Sequence, residues 1–263
     1  MSEAEERALP VSSSTAPEFA PEQRAMFVEV LRLFGARGIP FAVSGAFALH
    51  EHTGIWRDTK DLDLFLTNED VPRAMAVLAE AGFATEICDP VWLCKAHRGE
   101  YYVDLITGMS NAAITVEREW IERACEAEVL GLEVKVLAAE ELIASKVFVT
   151  RRERFDGADI VHVIHGKRGE LDWGRVLEVV GEHWMMVLWT LVLYQFVYPG
   201  QAEFVPRGVW EDLLGRLRTE LDHPRAEAMF RGSLIDDKMF AIDVEEWGMA
   251  NLNRRLREER EAA

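Results

Sequence analysis

Cysteine is scarce in this chain: Cys88, Cys94 and Cys125 are the only three in 263 residues. An odd count without paired metal-ligand spacing excludes a disulfide framework and a cysteine-held zinc site, so the thiols read as reduced core residues of a cytosolic protein. Positive charge is also short, with 29 Lys and Arg against 46 Asp and Glu and a net charge of −17. That balance excludes broad nonspecific affinity for nucleic acid or an acidic membrane, because phosphate backbones are bound chiefly through surplus cations. Long uninterrupted apolar runs are scarce as well. The longest, Trp184 to Tyr198, is broken by Thr190 and Gln195 and ended by Pro199-Gly200; a membrane helix needs about 20 residues, so a buried helix is expected. Met1 to Glu18 holds acidic residues, Pro10, Pro17 and a Ser12-Ser13-Ser14-Thr15 run, with neither a basic start nor an apolar centre. It reads as a flexible tail and not as a targeting signal. No internal repeat is evident.

What is present is an ample core, 49% hydrophobic residues, in a chain long enough to fold unaided. Phe27, Val30, Leu31 and Phe34 recur at helical spacing, and Gly35, Gly38 and Pro40 stop that pattern. Phe41-Ala42-Val43 predicts a strand, Ser44-Gly45 a tight turn, and Ala46 to His50 a helix. Leu62 to Thr67 predicts a second strand, and residues 69–81 a helix with Asp70 and Pro72 near its start. Short β-like runs follow at Phe83 to Cys88, Val91 to Lys95 and Tyr101 to Thr107, as in a meander on the edge of a mixed sheet. Leu132 to Leu137 predicts a further strand, before a helix from Ala139 and another from Asp156 to His165. The expected organisation is a tail over 1–18, an α/β (α+β) domain over 19–165 with a small mixed sheet flanked by helices, and an all-helical region over 166–263.

The chemistry concentrates in Asp58-Thr59-Lys60-Asp61-Leu62-Asp63-Leu64. In a strand, Asp61 and Asp63 project to one side and Leu62 and Leu64 to the other. Two carboxylates on one point repel unless a cation lies between them, and oxygen ligands suit a divalent metal that then carries phosphate. Asp104, in Val-Asp-Leu-Ile, offers a third carboxylate on a later strand. Lys146, Arg151, Arg152 and Arg154 form a local basic cluster, which is either a phosphate site or a solvated helix end. Lys146 has Leu142, Ile143, Val147 and Val149 as neighbours, so snorkelling explains it as well as phosphate contact does. Asp156 and Asp159 either cap a helix or belong to the site. His162 and His165 sit one turn apart without an evident third ligand, and packing is the expected role of both, as of His50 and His52.

Strand, Gly turn, helix, Asp-x-Asp strand and a later Asp strand, in that order, resemble the nucleotidyltransferase superfamily that includes polymerase beta. Glu140-Glu141-Leu142-Ile143-Ala144-Ser145-Lys146, followed by Arg151, Arg154 and Asp156-Gly157-Ala158-Asp159, is similar to motifs of its AbiEii-like, toxin-type branch. The resemblance covers roughly residues 40 to 165. It implies a Mg²⁺-dependent transfer of NMP from an NTP to a hydroxyl acceptor, with tRNA, other RNA or protein as acceptor and an antitoxin protein as partner. It places the metal on Asp61, Asp63 and Asp104, catalysis on these with Lys146 and Asp156, and the nucleotide on Ser44, Gly45, Lys60, Lys146, Arg151 and Arg154. The chain departs from the pattern where Ser44 replaces the first glycine of the turn and Ala46 replaces a hydroxyl residue. Two other readings stand beside it: a transferase acting on a small cationic acceptor, such as an aminoglycoside-like hydroxyl, which an acidic surface suits, and a noncatalytic binding module on the same fold.

Overall fold

The computed structural model of the chain describes residues 19–57, 59–224 and 228–262. The expected tail and Asp58 lie outside them. The first helix, α1 (Pro21–Arg37), buries Phe27, Val30, Leu31 and Phe34 as one stripe, and Gly38 ends it in the left-handed region at φ +59°. Strand β1 (Ala42–Val43) leads through Ser44 into α2 (Gly45–Thr53), then β2 (Asp61–Phe65) and α3 (Val71–Glu80). Next come β3 (Ala84–Asp89), β4 (Leu93–Arg98) and β5 (Tyr101–Ile106), the antiparallel meander expected from the sequence.

Helix α4 (Arg118–Arg123) and β6 (Cys125–Val129) precede β7 (Leu132–Val136) and α5 (Ala139–Lys146). Neither α4 nor β6 is predicted above, since α4 is a turn and a half and β6 alternates charged Glu126 and Glu128 with small residues. A two-stranded hairpin, β8 (Thr150–Arg151) with β9 (Arg154–Phe155), interrupts the basic cluster before α6 (Gly157–Lys167). The remaining elements are helical: α7 (Trp173–Val180), α8 (Trp184–Val197), α9 (Arg207–Asp222), α10 (Gly232–Ile235), α11 (Ala241–Glu245) and α12 (Leu252–Glu261).

Seven strands form one mixed sheet in the order β3-β4-β5-β2-β1-β7-β6. Strands β2 and β5 are parallel neighbours, and so are β1 and β7; the other pairings are antiparallel. One face of the sheet carries Leu62, Leu64, Cys94, Ala96, Val103 and Leu105, all buried in a core to which α1 and α3 also contribute. The opposite face of β2, β5 and β4 is where the aspartates project.

One expectation needs correction, and another is met on one face of a helix. Only Cys94 is a core thiol; Cys88 and Cys125 are exposed because β3 and β6 are the two edges of the sheet. Helix α8 is buried on one face only, through Val187, Leu188, Leu191 and Tyr194, while Trp189, Val192 and Phe196 are exposed. The stretch Trp173–Val197 has the length and apolar character of a membrane span, but a 3-10 turn at Gly181–His183 divides it into two helices, and both contribute to the core.

Candidate active site

Register builds the site. Parallel pairing sets Asp63 opposite Asp104, and antiparallel pairing sets Asp104 opposite Lys95, so three ionisable side chains cross β2, β5 and β4 in one row. Asp61 stands two residues before Asp63 on the same face. One carboxylate oxygen from each of Asp61, Asp63 and Asp104 lies within 4.8 Å of the others, the one cluster of this kind among the described residues.

The three carboxylates are held differently. The Thr59 hydroxyl donates a short hydrogen bond to Asp61 Oδ1. Lys95 Nζ donates to Asp104 Oδ1 at 2.8 Å and lies 4.1 Å above the Tyr102 ring. Asp63 is pushed up to about 7, first by burial and then by the negative charge of Asp61 and Asp104, with Lys146 and Arg154 pulling the other way. Burial likewise raises Asp104, and Lys95 draws it partly back.

Gly45 fits this row by having no side chain. Its φ of +58° is left-handed, and a Cβ there would stand 2.0 Å from Asp63 Oδ2. Ser44 is buried, and its N–H donates to the Asp63 carbonyl at 2.9 Å, tying the turn to β2. Helix α2 therefore begins directly against the carboxylates.

The basic segment brings Lys146 and Arg154 close to Asp63, and its charges are largely committed. Lys146, 8% exposed, places Nζ 2.6 Å from Asp156 Oδ2 and 2.9 Å from Asp159 Oδ2. Arg57 meets Asp159 at 2.7 Å, and Arg154 bonds both oxygens of Asp156 at 3.0 and 2.9 Å. Burial works to raise the Asp156 carboxyl, but the hydrogen bonds and charge of Arg154 and Lys146 outweigh it and hold it below the usual range. Arg151 Nη2 donates to Ser110 Oγ at 2.6 Å, and the Arg152 backbone N–H donates to Asp236 Oδ2 at 3.3 Å.

The aspartates, Ser44 and Gly45 thus come together, with Lys146 and Arg154 near enough to act on Asp63. Arg151 is directed to Ser110, and Lys60 is exposed just before β2. The snorkelling reading of Lys146 is replaced by a buried ion pair, and Asp156 and Asp159 share one role as its partners. Thr59, Lys95 and Tyr102 were not among the residues singled out from the sequence. Only the β4–β5 register brings Lys95 to Asp104, and that register has no local signature. The histidines pack: His52 Nε2 lies 2.7 Å from the Leu137 carbonyl, and His165 stacks on Tyr198 with ring centres 4.3 Å apart.

A mixed sheet presenting three carboxylates beside a glycine turn and a helix start is the arrangement of a nucleotidyltransferase. The chain belongs to the family described as nucleotidyl transferase of unknown function (DUF2204), which matches residues 23–184. Among solved structures, it is similar to the antibiotic-resistance factor ANT(2'')-Ia, with 16% identity and a TM-score of 0.46 over 67% of this chain and 98% of that one. It is similar to the lincosamide antibiotic adenylyltransferase LnuA, with 14% identity and a TM-score of 0.39 over 56% of this chain and 98% of that one. An antigenic nucleotidyltransferase-like protein from Paracoccidioides brasiliensis is 14% identical, with a TM-score of 0.44 over 72% of this chain and 96% of that one. No curated protein matches the chain.

Proposed function

We propose that the chain is a Mg²⁺-dependent nucleotidyltransferase that moves NMP from an NTP to a hydroxyl of a small cationic acceptor. The observation that carries the chemistry is the row of Asp61, Asp63 and Asp104, with oxygens within 4.8 Å of one another. An oxygen-only donor set suits a hard divalent ion, and the raised Asp63 is a carboxylate short of positive charge. When bound, Mg²⁺ would offset charge on the phosphate oxygens and on the attacking oxygen.

The protein's own groups have separate tasks. The acceptor oxygen attacks the α-phosphorus, the bond to the bridging oxygen of the β-phosphate breaks, and pyrophosphate leaves. Asp104 Oδ2, not engaged by Lys95, takes the acceptor's proton. The start of α2, bare of side chain at Gly45, favours an anion through its backbone N–H groups. Arg154, whose side chain is 70% exposed, is the cation best placed to follow the triphosphate. Lys146, enclosed by Asp156 and Asp159, instead positions that segment.

The acceptor reading rests on charge. Lys146, Arg154 and Arg57 meet Asp156 and Asp159, and Arg151 and Arg152 stand beside Glu153 and Asp236; five cations against four carboxylates leave the basic cluster little surplus charge to offer an RNA backbone. A net charge of −17 draws a cation towards the chain. The toxin-type branch, with an RNA or protein acceptor and an antitoxin partner, rests on the Lys146–Asp159 segment alone. The test is incubation with each NTP labelled at the α-phosphate, Mg²⁺, and either polyhydroxylated amines or total cellular RNA. Label on an amine supports this reading; label on RNA alone moves the function to the toxin-type branch.

A further inference from the structure

The two outer carboxylates of the row are each already engaged through one oxygen, and by groups of different charge. Thr59 gives Asp61 Oδ1 a neutral hydrogen bond, whereas Lys95 gives Asp104 Oδ1 a full positive charge at 2.8 Å. The ammonium is fixed there by register, since Lys95 and Asp104 are direct partners across β4 and β5, and by the Tyr102 face beneath it. Lys146 and Arg154 also pull on Asp63, but Asp156 and Asp159 engage them, two cations against two carboxylates, so that group adds no net charge to the row. With all three carboxyls ionised, they and one ammonium leave two negative charges, which one divalent ion balances.

We infer that Lys95 supplies the positive charge on the Asp104 side of the site, so that in the absence of nucleotide the chain takes up one divalent ion and not two. The inference rests on the metal-dependent reading above and specifies how this chain serves it. A two-ion phosphoryl-transfer site places its ions roughly 3.5 to 4 Å apart, with charge on both the attacking and the leaving oxygens. Here the attacking side already has a protein cation, held on the carboxylate proposed to receive the acceptor's proton. Lys95 is thus a positioning residue: it orients Asp104 through Oδ1 and leaves Oδ2 facing the acceptor.

The measurement is Mn²⁺ binding to the full chain without nucleotide, followed by the loss of the free-ion electron paramagnetic resonance signal at fixed ionic strength. Wild type is expected to saturate at one Mn²⁺ per chain, Lys95→Arg at one, and Lys95→Met at two. Should Lys95→Met fail to give a cooperative thermal transition, Lys95→Gln, which keeps a polar reach to Asp104 without the charge, carries the same comparison. Two ions in wild type, or one ion in both wild type and the neutral variants, overturns the role of Lys95 while leaving the metal site standing. No Mn²⁺ bound by wild type, at the level of Asp61→Ala, overturns the metal-dependent reading and this inference together.

Discussion

Replacing Asp63 with Asn should make the metal-free protein more stable at neutral and alkaline pH. Asp63 is raised from 3.8 to about 7, chiefly by burial and then by Asp61 and Asp104. That is roughly three pH units, and at about 1.4 kcal/mol per unit it corresponds to about 4 kcal/mol as an upper figure. The sign follows from proton counting. Between about pH 4 and pH 7 the folded chain keeps a proton on Asp63 that the unfolded chain has released, so stability falls as pH rises through this window and levels off above it. Asn is neutral throughout and has nearly the same shape. Asp63→Asn should therefore exceed wild type by up to about 4 kcal/mol at pH 8, with the gap closing towards pH 4. Urea unfolding followed by tryptophan fluorescence, in EDTA at pH 5, 6 and 8, measures it. Adding Mg²⁺ should then stabilise wild type and leave Asp63→Asn unchanged, because binding to the folded state alone raises its stability. Parallel pH profiles for the two proteins in EDTA would refute the reasoning.

Three further substitutions test other parts of the structure. Gly45→Ala puts a Cβ 2.0 Å from Asp63 Oδ2 at a left-handed φ of +58°; a loss of about 2 kcal/mol or more is expected by thermal unfolding, with weakened Mn²⁺ binding. An unchanged melting temperature would show that the turn is not so tight. Lys146→Met leaves Asp156 and Asp159 buried without their shared ammonium, at a cost of about 3 kcal/mol by urea unfolding; a change below about 1 kcal/mol would restore simple snorkelling. Arg175→Met strips the fully buried Glu141 of its 2.8 Å partner between α5 and α7, and should cost about 3 to 5 kcal/mol. A loss within about 0.5 kcal/mol, typical of surface changes, would mean that Arg123 suffices for Glu141.

The fold was legible where local pattern and packing agree. The Phe27 to Phe34 stripe, the Asp61 to Leu64 alternation and the punctuation at Gly38, Gly45 and Gly82 all describe elements that form as expected. The carboxylate row was legible too, since the two-residue period of a strand aims Asp61 and Asp63 together without knowledge of the rest of the chain. What sequence could not give is register and the pairing of charges. Lys95 reaches Asp104 only through the β4–β5 alignment, and Lys146 stays open between snorkelling and phosphate contact until the fold sets Asp156 and Asp159 beside it. The hairpin at Thr150–Phe155 was missed because two-residue strands carry too little periodicity to stand out from a charged loop. Exposure of Cys88 and Cys125 depends on which strands end up at the sheet edges, a property of topology and not of local composition.

The central claim, nucleotidyl transfer at the Asp61, Asp63 and Asp104 row, is tested most directly by following each phosphate of the NTP separately. With an acceptor extract and Mg²⁺, label at the α-phosphate should appear on the acceptor, label at the γ-phosphate should leave as pyrophosphate, and both should cease in Asp61→Ala. Label moving to the acceptor from the γ-phosphate, or transfer that survives in Asp61→Ala, would contradict it.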